Sequence, residues 1–137
     1  MEFENIVDET ERHAAVQLQR LFQNKVIINI KDGHVRELML TVSNAIGAAQ
    51  WVRNLPFLTE LHFHGSPMPF EPKGIEWVWG LAQLQHLGLA FCGLSENETN
   101  NILKGIGKLN RLRFLHIEID HLTVLPEEIG NCEDLNV

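Results

Sequence analysis

Four times in this chain, three apolar residues recur at positions i, i+3 and i+5, and nothing else in the sequence limits the fold as strongly. The copies are Val35/Leu38/Leu40, Leu58/Leu61/Phe63, Leu84/Leu87/Leu89 and Leu112/Leu115/Ile117, and a fifth opens at Leu135. Their starts lie 23, 26, 28 and 23 residues apart. In that register two more apolar columns align. Six residues before each later start stand Val52, Val78, Ile106 and Ile129, and three before stand Leu55, Leu81, Leu109 and Cys132. Self-similarity at this period marks structural units that are each too small to bury their own apolar face and must stack on their neighbours. Each copy alternates like a strand with one side buried, so the leucines are structural, each contributing about 1.5–3 kcal/mol when buried.

These copies resemble leucine-rich repeats of the intracellular type with 23–28-residue units. The resemblance covers residues 35–137 and is closest in LRFLHIEIDHLTVLPEEIGNCEDL, where Leu125-Pro126 precedes a short segment. It implies an α/β fold: a right-handed leucine-rich-repeat solenoid, its parallel β-sheet on the concave side and helices or turns on the convex side. It also implies inward-pointing residues at Ser43, Ser66, Cys92 and Asp120, with the next apolar slot at Ala45, Met68, Leu94 and Leu122. Asp120 departs from the usual Asn, and the first copy is loose around Ser43-Asn44-Ala45-Ile46. The 26- and 28-residue copies leave room for a helix, and Ser95 with Glu98 forms a capping box ahead of one.

Residues 1–34 read as an N-terminal cap, continuous with the repeats of 35–137 in a single structural domain. Asp8 and Glu11 form a second capping-box pattern, and Ala14, Val16, Leu18, Leu21 and Phe22 supply the apolar stripe of a helix over 8–23. Val26, Ile28 and Ile30 then alternate inward, and Asp32-Gly33 is a two-residue hairpin signal. At the other end the fifth copy opens and stops at Val137. An uncovered last layer is expected to mean a piece of a longer array, two chains meeting end to end as a homodimer, or an ordinary frayed end.

The net charge is −7, and the basic residues are scattered, so neither nucleic acid nor an anionic membrane is expected as a partner. No apolar run approaches the roughly 18 residues that span a bilayer, and no signal-peptide pattern opens the chain. With only Cys92 and Cys132, both in core columns, a cytoplasmic location in a reducing compartment is expected.

The residues between the strand leucines face away from the core. Across the four copies they form the rows Glu37, Glu60, His86, Phe114; Met39, His62, Gly88, His116; and Thr41, His64, Ala90, Glu118. With strands about 4.8 Å apart these make one patch of acid, imidazole and apolar groups. The partner-binding candidates are Glu37, Met39, Thr41, Glu60, His62, His64, His86, Phe114, His116 and Glu118. The four histidines admit three readings: ordinary residues of a binding face, pH-sensitive binding, or a metal site from His62, His64 and Glu60 or His86. Imidazoles titrate near pH 6.5 (about), which carries the second reading. The third departs from dedicated zinc spacings, and neither metal nor cofactor is expected. Elsewhere, Trp51, Trp77 and Trp79 are expected in the core, at least in part, with an exposed aromatic pair as the alternative. The proline-rich loop 65–74 carries Phe70, expected to tuck back on Trp77.

No phosphate loop, nucleophile motif or HExxH is present, and a shallow sheet face offers no water-excluding pocket. The expected function is therefore a protein–protein interaction module, not an enzyme, that binds a partner protein through the sheet face. Two alternatives remain open: a recognition segment of a larger receptor or effector, and a homodimer sealed through the last repeat.

Overall fold

The computed structural model describes residues 3–42, 45–65, 72–91, 93–119, 122 and 124–135. The inward slots at Ser43, Ser66, Cys92 and Asp120, Met68, and the loop with Phe70 lie outside the described residues.

One five-stranded sheet, ordered β1-β2-β3-β4-β5, runs through the molecule. Its strands are β1 (Val26–Lys31), β2 (His34–Thr41), β3 (Glu60–His64), β4 (His86–Phe91) and β5 (Phe114–Ile119). β1 pairs antiparallel with β2, while β2–β3, β3–β4 and β4–β5 are parallel. Asp32 and Gly33 both have positive φ (55° and 81°), the geometry a tight two-residue hairpin requires. A register shift at Asn29/Ile30 then lets Ile30 face Val35.

This architecture corrects the fold expected from the sequence. The sheet is mixed, not parallel, because the Asp32-Gly33 turn lays β1 onto β2 as a full member of the same sheet. The right-handed leucine-rich-repeat solenoid, with a parallel sheet on its concave side and a separate helix-plus-hairpin cap, is therefore not the description that applies. The protein is a small α/β fold built on one mixed sheet. The described segments between strands hold short helices and turns, with the helix expected after Ser95 present as α3 (Glu96–Leu103). α2 (Ala49–Val52) is a single turn and α3 two, and the described residues add 3-10 segments at Ile46–Ala48, Pro72–Gly80, Lys104–Lys108 and Glu127–Asn131.

The aligned apolar columns have a local cause. Before β3, Leu55 N–H donates to Val52 C=O and Leu58 N–H to Leu55 C=O, at 2.9 and 3.1 Å. The same two bonds recur at Val78/Leu81/Leu84, Ile106/Leu109/Leu112 and Ile129/Cys132/Leu135. In i→i+3 turns, side chains three apart eclipse one another, so all three residues point the same way, into the core. Val52, Leu55, Leu58, Val78, Leu81, Leu84, Ile106, Leu109 and Leu112 are all buried there. Against them pack the inward residues of the strands, Leu38, Leu40, Leu61, Phe63, Leu87 and Leu89. Cover thins at β5, where Leu115, Ile117 and Ile119 are only half-buried.

α1 (Glu9–Phe22) closes the other end, with Asp8 accepting from Glu11 N–H at 2.8 Å. Its Glu11 side chain does not complete a capping box. It is fully buried and crosses to β2, accepting from Val35 N–H at 2.6 Å and meeting His34 Nδ1 at 3.0 Å. α3 does form its capping box, Ser95 and Glu98 bonding each other's backbone N–H.

The tryptophans divide. Trp79 is buried, Trp77 is half-buried with Nε1 donating to Ala45 C=O at 3.0 Å, and Trp51 lies edge-on to His13. Cys132 is a free, buried thiol donating to Ile106 C=O at 3.4 Å, and burial pushes its pKa up. Among the described residues no helix is long and apolar enough to cross a membrane.

Candidate functional site

Strand alternation places the ten candidate residues on the sheet face opposite the core, and the parallel register sets them side by side. Glu37 is paired with Glu60, Glu60 with His86, and His86 with Phe114. The next row runs Met39, His62, Gly88, His116, and the third Thr41, His64, Ala90, Glu118. β1 extends the face at one edge: Ile27, 52% exposed, is paired with Met39, and Asn29 with Glu37.

Within this face the side chains gather unevenly. His62 Nε2 lies 3.0 Å from Glu60 Oε2 and 3.3 Å from Glu37 Oε2, so one imidazole nitrogen meets two carboxylates. Register alone would leave Glu37 and Glu60 as adjacent like charges, an unfavourable cross-strand pair. The hydrogen bond with His62 holds the Glu60 carboxyl below the ordinary carboxylate range. A hydrogen bond with Glu37 and the charges of His86 and His62 add to this, against an opposing contribution from burial. Glu37 is steadied from the other side by Asn29, whose Nδ2 donates to Oε1. Glu60 Oε1 faces His86 Nδ1 at 3.8 Å.

The His62 ring lies over Gly88. A Cβ built on Gly88 would sit 2.7 Å from His62 Nδ1, so the glycine leaves the space that the ring occupies. Further along, the His86 ring stacks on Phe114, centroids 4.6 Å apart and planes 8° apart, with Phe114 45% exposed. His116 Nε2 meets Glu118 Oε1 at 2.8 Å, both largely exposed.

The metal set considered from the sequence, His62 and His64 with Glu60 or His86, is not the group that converges. Among the described residues the potential donors that come together are Glu37, Glu60 and His62. His64 stands at the end of its strand, exposed, between Thr41 and Ala90. Met39 and Thr41 contribute surface to the face and no polar contact to this cluster.

Two features escaped the sequence reading. Asn29 and Ile27 join the face only because β1 is paired to β2, and their alternation in VIINIK was the available signal. On a neighbouring edge His34 stacks on Phe57 (3.7 Å between centroids), and Arg36 lies 5.3 Å from the same ring. Nothing in the local sequence pairs Phe57 with β2. In the helical layer an open cleft of about 550 Å³ lies between Glu76, Trp79, Glu98, Ile102, Gly105 and Lys108. It is open to solvent, and its charged lining is Glu76, Glu98 and Lys108.

Compared with protein-family models, curated proteins and solved structures, the chain matches none, so the role of the face rests on its own residues.

Proposed function

We propose that this protein is an interaction module that binds another protein through the outward sheet face, and that it is not an enzyme. The observation that carries the reading is the composition of one continuous, open surface. Exposed Phe114 stacked on His86 at one end of the face, and Met39 beside Ile27 at the other, offer apolar area; Glu37, Glu60, Glu118 and the histidines offer directional polar groups between and beside them. Protein interfaces combine aromatic anchors with a polar surround in this way. Among the described residues a cleft that adjoins Glu37 and Glu60, about 460 Å³ beside Asn29, Arg36 and Gln85, is open to solvent, which suits surface binding better than a water-excluding reaction.

A protein partner suits the net charge of −7 better than nucleic acid or an anionic membrane does. A reducing, intracellular setting belongs to the same proposal and is supported by the free, buried Cys132.

A second reading, association of two copies through β5, is favoured by the half-buried Leu115, Ile117 and Ile119 on the last strand of the sheet. A photo-crosslinking residue placed at His116, in the face, tests the first reading against one placed at Glu76, in the helical layer. Crosslinks to a distinct protein from position 116 alone support the face. Crosslinks only between copies of the chain favour the second reading, and equal yields from both positions contradict the first.

A further inference from the structure

We propose that Glu37, Glu60 and His62 form a binding site for one divalent transition-metal ion of the zinc type, coordinated by Glu37 Oε2, Glu60 Oε2 and His62 Nε2. The donor atoms of the three residues lie within 4.8 Å of one another, with His62 Nε2 at 3.0 and 3.3 Å from the two carboxylate oxygens. Bonds of about 2.0–2.1 Å to a tetrahedral ion put neighbouring donors about 3.4 Å apart. The two His62 spacings already lie near that value, and the two carboxylate oxygens, within 4.8 Å of each other, have to meet it by side-chain rotation.

Charge counting favours an ion over an internal hydrogen-bond network. One imidazole Nε2–H can be directed well at only one of the two carboxylates, so the close approach of Glu37 and Glu60 has to be met by a further proton or by a cation. A divalent cation satisfies both carboxylates and takes the lone pair of the neutral imidazole. Two carboxylates and one imidazole are a donor set that zinc accepts, with water completing the fourth position on the open side.

The arrangement outside the three donors points the same way. Glu37 turns one oxygen to the common point and has the other hydrogen-bonded elsewhere, while the second oxygen of Glu60 has only a longer-range charge neighbour. Asn29 Nδ2 donates to Glu37 Oε1, and His86 Nδ1 faces Glu60 Oε1. Outer partners of this kind orient metal ligands, and their loss weakens binding by about 10–100-fold. Gly88 fixes the third donor by making room for the His62 ring. The three side chains are 25–35% exposed, so an ion can reach them from solvent.

This site goes beyond the protein-binding reading and stands or falls separately from it. The test is titration of zinc chloride into the untagged, chelator-treated full chain, followed by calorimetry, with circular dichroism to verify folding of each variant. The expected result is one saturable site per chain in the micromolar range, lost in His62→Ala and Glu60→Gln. Asn29→Ala weakens it about tenfold. The exposed pair His116/Glu118 serves as the control, and His116→Ala leaves the site unchanged. Absence of saturable binding at micromolar zinc overturns the proposal. So does binding that survives His62→Ala and Glu60→Gln in folded protein, which would place the ion elsewhere.

Discussion

Gly88 and His62 form a matched pair across two adjacent strands: the ring on β3 rests over the one position in its row of β4 that carries no side chain. A Cβ there would stand 2.7 Å from Nδ1, closer than real contacts allow. His62 is half-exposed and can rotate away, so the conflict is relieved by moving the ring and not the backbone. Gly88→Ala is thus expected to alter stability by less than about 1 kcal/mol while separating His62 from Glu37 and Glu60. The His62 ring resonances in a two-dimensional NMR spectrum check this. An unshifted His62 signal in the variant would show that the glycine is not needed for the ring's position.

Glu60 sets the sign of one pH effect. Its carboxyl is held below the ordinary range in the folded chain, so the unfolded chain takes up this proton first as pH falls. Its contribution to stability is full above the ordinary carboxylate value and fades as pH drops through the lowered one. With chelator present, the stability difference between wild type and Glu60→Gln is expected to narrow as pH falls below the ordinary carboxylate value. Urea denaturation at stepped pH measures it, and a constant difference would contradict the assignment.

Glu11 ties α1 to the sheet. Its carboxylate is fully buried and accepts from Val35 N–H, itself in a buried residue. Removing it leaves a buried donor unpaired, so Glu11→Ala is expected to cost about 2–3 kcal/mol. Glu11→Gln, which keeps an acceptor in place, is expected to cost less. Chemical denaturation compares the two, and equal losses would indicate that packing and not the hydrogen bond is what matters.

Gly105 is the tightest point of the helical layer. A Cβ there would meet the Trp79 ring at 2.3 Å, and Trp79 is only 7% exposed. Gly105→Ala is expected to destabilise by about 1–3 kcal/mol through overpacking. Gly80→Ala, where nothing lies within 4 Å, is the comparison that should not show this loss. Thermal denaturation separates them, and equal transition temperatures would refute the clash.

Much of this layout is written into the residue spacing, because the spacing has local causes. Val52, Leu55 and Leu58 recur at intervals of three since successive 3-10 turns eclipse their side chains. Glu37, Glu60, His86 and Phe114 could be placed in one row because the alternation of each strand leaves a single choice of outward residues. What depends on distant pairing was not legible. A hairpin at Asp32-Gly33 was visible, but its merging into one mixed sheet depends on β1 sharing its ladder with β2, which overturned the expected architecture. Glu11 carries the pattern of a capping box, yet its carboxylate is drawn to Val35, 24 positions away. The convergence of Glu37, Glu60 and His62, in place of a histidine cluster with His64, depends on rotamers set by Asn29 and by the gap at Gly88.

Whether the sheet face binds a protein is tested most directly by a dissociation constant. The partner recovered by crosslinking at position 116, once purified, is titrated against wild type, against His62→Ala/Phe114→Ala/His116→Ala, and against Glu76→Ala in the helical layer. Loss of a central aromatic anchor and its polar neighbours is expected to weaken binding at least about thirtyfold, in line with interface anchors worth 2 kcal/mol or more. Glu76→Ala is expected to bind like wild type. An unchanged constant in the folded triple variant would contradict the sheet face as the binding surface.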